Sequence, residues 1–137
     1  MALQLTDLLM ISRAGVLYKD ALSAIYTLFG IVKGVSGSCS GRPAASEIIF
    51  TAIAPYPFTV VQADCSAKAL TAATASSVFQ VRKNGVNMMT FTFAAAATTA
   101  SNSTVSGGTI AVGDVISVTA PASQDATLSD ISFLIVD

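Results

Sequence analysis

The chain has 137 residues, with seven Lys and Arg against eight Asp and Glu, 53% apolar residues and 11% charged. This excludes an intrinsically disordered chain, which is poor in apolar residues and rich in charge, and it excludes a nucleic-acid binder, which needs a basic patch. With no His and no Trp, imidazole-based serine or cysteine triads and imidazole metal sites are excluded too.

Ala, Ser and Thr together supply 53 of the 137 residues. A surface built from them is small, neutral and inexpensive to desolvate. A soluble monomer ordinarily carries more charge than this, so the composition predicts extensive contact between subunits. Two cysteines, Cys39 and Cys65, do not make a disulfide framework and read as free, buried thiols. The start of the chain has no basic region before an apolar run, so it is not read as a signal peptide. The most apolar charge-free window, Ala21–Val32, spans 12 residues, short of the roughly 20 needed to cross a membrane.

In chain order, residues 1–34 read as a hairpin followed by a helix, an attachment or oligomerisation segment. Asp7 to Arg13 is strand-like, Ala14-Gly15 gives the turn, and Val16 to Lys19 returns. Asp20 is a suitable N-cap. Leu22, Ile25, Phe29 and Val32 then recur at helical spacing as one apolar stripe. Two readings of that stripe stand: a seam between copies of the chain, leaning to trimers or tetramers, or a face packed on the chain's own hairpin or β-domain.

Residues 35–137 read as the β-domain. Residues 35–41 are a small-residue hinge or an edge strand. Strands are expected at 47–54, 58–61, 77–83, 86–93, 98–105, 109–112, 115–120 and 128–136, with the Ala-rich 67–75 ambiguous. Along 77–83, Phe79 and Val81 point inward and Gln80 and Arg82 outward. Asn84-Gly85 is a strong hairpin signal. A plain two-residue loop there sets Phe79 opposite Thr90 and scatters the phenylalanines over both faces. An odd loop with a bulge gathers Phe79, Val81, Met89, Phe91 and Phe93, with Phe79 opposite Met89, and is the expected register. The fold class is therefore mainly β: an antiparallel, jelly-roll-like sandwich of about eight strands, with the short N-terminal hairpin and α-helix.

Two stretches, VFQVRKNGVNMMTFTF at 78–93 and VGDVISVTAPASQDATLSDISF at 112–133, resemble a β-sandwich domain of tailed-phage virion proteins. TDLLMISRAGVLYKDALSAI at 6–25 is similar to a hairpin-helix of phage tail and fibre proteins. The resemblance implies a virion structural protein made in the host cytoplasm, most specifically a short homotrimeric tail fibre. Its N-terminus would dock on tail or baseplate proteins and its β-sandwich would contact the host surface. A capsid decoration, or cement, protein is the alternative. The chain has no room for the extended shaft of a long fibre.

No enzyme, cofactor or metal site is expected. Asp114, Asp125 and Asp130 cluster in the last third, but without an Asp-x-Asp-x-Asp loop they read as turn formers rather than calcium ligands or a glycosidase pair. Lys83 reads as a hairpin rim residue. A host glycan is a possible partner, and Tyr56, between Pro55 and Pro57, is the candidate receptor contact, set against a packed rim tyrosine.

Overall fold

Alternation of apolar and weakly polar residues, punctuated by Gly, Pro, Asn and Asp, dictates short strands and tight turns. The computed structural model describes residues 33–137, and these form one compact unit. The expected hairpin and helix, with Leu22, Ile25, Phe29 and Val32, lie outside the described residues.

Ten strands are present among the described residues: β1 Gly34–Cys39, β2 Ile48–Ile53, β3 Phe58–Thr59, β4 Ser66–Thr71, β5 Ser77–Lys83, β6 Val86–Phe93, β7 Ser101–Asn102, β8 Thr109–Ile110, β9 Val115–Thr119 and β10 Ser129–Val136. The protein is thus mainly β. All pairings are antiparallel. One sheet runs β1-β10-β4, a second β2-β9-β5-β6-β7, and β3-β8 forms a small third. The count exceeds the expected eight because the two segments left open, 35–41 and the Ala-rich 67–75, supply β1 and β4.

The two larger sheets share one apolar core. Phe79 on β5 and Phe91 on β6 meet Phe133 on β10 with ring centroids 5.8 and 5.9 Å apart, and Phe79 stands edge-on to Phe93 at 5.7 Å. Val81, Met89, Ile116, Val118, Ile131 and Ile135 complete the interior. Residues 34–39 form an edge strand, the second of the two readings of that segment. Gly37 is required there, because a Cβ would overlap the ring of Phe50 on β2.

The β5–β6 hairpin corrects the expected register. The loop is the two-residue Asn84-Gly85, closed by Lys83 opposite Val86. Both loop residues have positive φ, 49° and 83°, as a type I′ turn requires. The parity is restored inside β6 instead. Arg82 pairs with Asn87 and Val81 with Met89, leaving Met88 as the extra residue. Phe79 consequently faces Phe91 rather than Met89. Met88 and Met89 are both buried, so the core sets the register and the bulge absorbs the mismatch.

The expected strand at 98–105 is broken for a different reason. Ala69 N donates to Thr98 O (2.8 Å) and Ala100 N to Ala67 O (3.0 Å), so residues 98–100 bond to β4. Residues Ser101 and Asn102 then pair with β6. The segment is a corner that passes from one large sheet to the other.

Candidate interaction surfaces and clefts

The outward face of the second sheet follows from strand alternation. Val78, Gln80 and Arg82 alternate with buried residues on β5, Ser117 and Thr119 on β9, and Thr90 and Thr92 on β6. Arg82 is the one charged side chain among these positions. The first sheet offers Ser36 and Ser38 on β1, Ser66, Lys68 and Leu70 on β4, and Ser132 and Leu134 on β10. Here Lys68 and, at the start of β10, Asp130 are the charges among the outward positions.

The carboxylates are engaged by turns. Asp125 accepts hydrogen bonds from the backbone N–H groups of Thr74 (3.1 Å), Ala75 (2.9 Å), Thr127 (2.9 Å) and Leu128 (2.9 Å), and from the Thr74 hydroxyl (2.9 Å). It therefore clasps the β4–β5 loop to the β9–β10 loop. Partial desolvation works to raise its pKa, but these bonds outweigh it and hold the carboxyl far below the ordinary range. Asp114 accepts from Ala111 N (2.8 Å) and Asn84 Nδ2 (2.8 Å), while Val115 N donates to Asn84 Oδ1 (2.8 Å). Asp130 accepts from Gly41 N (2.9 Å) and Ser129 Oγ (2.9 Å). Both carboxyls are held low by those bonds, the backbone amide first. Asp114 and Asp125 thus serve turns and loops, as read, whereas Asp130 lies on β10 and ties that strand to Gly41.

Lys83 sits at the hairpin rim, its Nζ donating to Thr109 O (2.9 Å). Both thiols are free, Cys65 buried and Cys39 only half-buried, which corrects the expectation that both are buried. Partial burial, with the charges of Glu47 and Asp130, pushes the Cys39 thiol up, away from the reactive thiolate form. Tyr56 is 57% exposed on its proline-flanked loop and lines neither cleft described below.

Among the described residues, two clefts on the outer faces matter here. One, of about 300 Å³, lies on the first sheet between Ser38, Cys39, Lys68, Leu70, Asp130 and Ser132. The larger, of about 470 Å³, lies on the second sheet. Thr119 is on its floor, paired with Gln80 on one side and Ile48 on the other. Val78, Gln80 and Arg82 run along β5, and Ser46 and Ala120 to Ala122 form the far wall. That wall is pinned by Ser46 N donating to Pro121 O (2.9 Å) and Ala120 N to Glu47 O (2.7 Å). Ser46 itself is held at φ 58°, a conformation L-residues seldom adopt.

Sequence reasoning placed Gln80 and Arg82 on an outer face but missed this cleft. Its walls come from three segments whose adjacency depends on β9 lying between β2 and β5. No local pattern signals that order. Comparison of the chain with protein-family models, with curated proteins and with solved structures gave no match.

Proposed function

We propose that this chain is a structural subunit of a tailed-phage virion: a short, homotrimeric tail fibre. Its N-terminal segment, with Leu22, Ile25, Phe29 and Val32, docks on tail or baseplate proteins. The β-domain meets the host surface. The observation that carries this reading is the scarcity of charge on both outward sheet faces, where Lys68, Arg82 and, at the start of β10, Asp130 are the charges among the outward positions. Surfaces of Ser, Thr, Ala and Val lose little on desolvation, and closed symmetric assembly covers them.

Strand order supports the same reading. Residues 98–100 bond to β4 before β7 joins β6, so the first layer runs β1-β10-β4 and then this corner segment, and the second runs β2-β9-β5-β6-β7. Counting the corner as the fourth strand of the first layer, we read this order as that of a jelly roll, a sandwich used by viral capsid and lectin domains. The resemblance of residues 78–93 and 112–133 to phage virion domains falls on β5, β6, β9 and β10, which contribute most of the core.

The test has two parts. Sedimentation of the purified full chain is expected to give a trimer at micromolar concentration, and a stable monomer would overturn the assembly claim. Quantitative mass spectrometry of purified particles is expected to give tens of copies or fewer. Hundreds of copies would place the chain on the head lattice as a decoration protein and overturn the tail assignment.

A further inference from the structure

We infer that the cleft beside Thr119 is a binding site for a carboxylate-bearing sugar residue. The inference deepens the host-contact reading and rests on it only for the source of the sugar. A buried hydroxyl at the cleft floor supplies the first observation. Thr119 is 8% exposed, and its Oγ1 is screened from solvent with no hydrogen-bond partner among the described residues. Buried polar groups are nearly always satisfied, so an orphan in a concave site calls for a missing partner.

Charge selects the kind of partner. The lining of Ser46, Val78, Gln80, Arg82, Thr119 and Ala120 to Ala122 contains one guanidinium and no carboxylate. Among the described residues, Arg82 is braced by a hydrogen bond to Gln80 Oε1, which fixes its planar fork without neutralising it. A braced fork presents paired donors to one carboxylate. Phosphate carries closer to two charges, and no second cation lines the cleft.

The remaining groups favour a hydroxylated ligand. The Gln80 amide and the Ser46 hydroxyl can donate to or accept from adjacent hydroxyl groups, and the Thr119 hydroxyl can join them once a rotation about its Cα–Cβ bond opens it to the cleft. Val78, Ala120, Pro121 and Ala122 offer a C–H face of modest area. The volume falls within the range of about 300–1,000 Å³ typical of small-ligand clefts. The bulge at Met88 lies across from Arg82 in the hairpin, and bulges commonly re-aim side chains beside sites.

The experiment is an amide-resolved NMR titration of the full chain with sodium glucuronate, with methyl glucoside and inorganic phosphate as parallel probes. Glucuronate is expected to give saturable shifts at Ser46, Gln80, Arg82, Thr119 and Ala120, with a Kd on the order of 1 mM. Methyl glucoside and phosphate are each expected to bind at least about tenfold more weakly, because each offers only half of the recognised chemistry. Arg82→Gln should weaken glucuronate by about tenfold or more, since it removes a charge-assisted pair. Thr119→Val keeps the side-chain shape and should weaken binding several-fold while raising thermal stability, because the orphaned hydroxyl is gone. No saturable shift, equal binding of glucoside or phosphate, or unchanged affinity in Arg82→Gln would overturn the site. None of these outcomes depends on particle location, so a failure here is separate from failure of the virion reading.

Discussion

Removing the Asp125 carboxylate is the sharpest single test of how this protein holds its loops. Four backbone N–H groups and two hydroxyls, those of Thr74 and Thr127, converge on it, two of the amides from the neighbouring loop some fifty positions earlier. A hydrogen bond to a charged group contributes roughly 1.5–3 kcal/mol net. Asp125 is half-exposed, so water takes over part of what the carboxylate supplies. Asp125→Ala is therefore expected to cost about 2–4 kcal/mol, well below the sum of the bonds, because exposure screens them and water replaces part of them.

Asp125→Asn sharpens the test, because both oxygens face donors. Whichever way the amide turns, its NH2 group meets backbone N–H groups. The asparagine variant is expected to lose at least about half as much stability as the alanine variant. Because the folded-state pKa is depressed, the contribution is fully present above the ordinary carboxylate pKa of about 3.9 and is lost as pH falls below it. The gap between wild type and Asp125→Ala should accordingly narrow on acidification. Urea denaturation followed by far-UV circular dichroism at neutral and acidic pH measures all of this. An alanine cost under about 0.5 kcal/mol, the range of an ordinary surface change, or an asparagine variant as stable as wild type, would refute the clasp.

Further outcomes follow from the core and the backbone. Phe133→Ala removes the ring that joins the two larger sheets and is expected to cost about 3–5 kcal/mol, read from the denaturation midpoint. Gly37→Ala forces a Cβ into the Phe50 ring and is expected to cost about 1–3 kcal/mol, with the first amide exchange losses in β1. Ala96 sits at φ 63°, so Ala96→Gly relieves about 1–2 kcal/mol of strain, offset by about 0.5–1 kcal/mol of glycine entropy. A net gain of thermal stability is expected.

The strands that were legible are those with strong contrast between neighbours. β5 and β6 occupy the expected ranges, Ser77–Lys83 and Val86–Phe93, because Phe, Val and Met alternate there with Gln, Arg and Thr. β4 was ambiguous because its inward residues, Ala67 and Ala69, are small, while the outward Leu70 is more apolar than either, so the usual contrast between the two faces is missing. The corner at 98–102 was unreadable for a further reason. Its Thr, Ala, Ser and Asn residues suit any strand, and which sheet receives them is settled by β4 and β6, distant in sequence. The same nonlocality hid the cleft: Gln80 and Arg82 were visibly outward, but their neighbour Thr119 was supplied by chain topology.

The scarcity of charge has a structural consequence beyond composition. Asp114, Asp125 and Asp130 each satisfy backbone donors in turns, and Lys83 is drawn to a carbonyl at the hairpin rim. These charges organise loops, and loops lie at the ends and edges of the sheets. The broad faces between them are left largely to hydroxyls and methyls, with Lys68, Arg82 and, at the start of β10, Asp130 as their few charges. A face without repulsive charge cannot discriminate against another copy of itself by electrostatics. Shape and the single cations must set any selectivity there, which makes Arg82 the residue on which a ligand and a neighbouring subunit would compete.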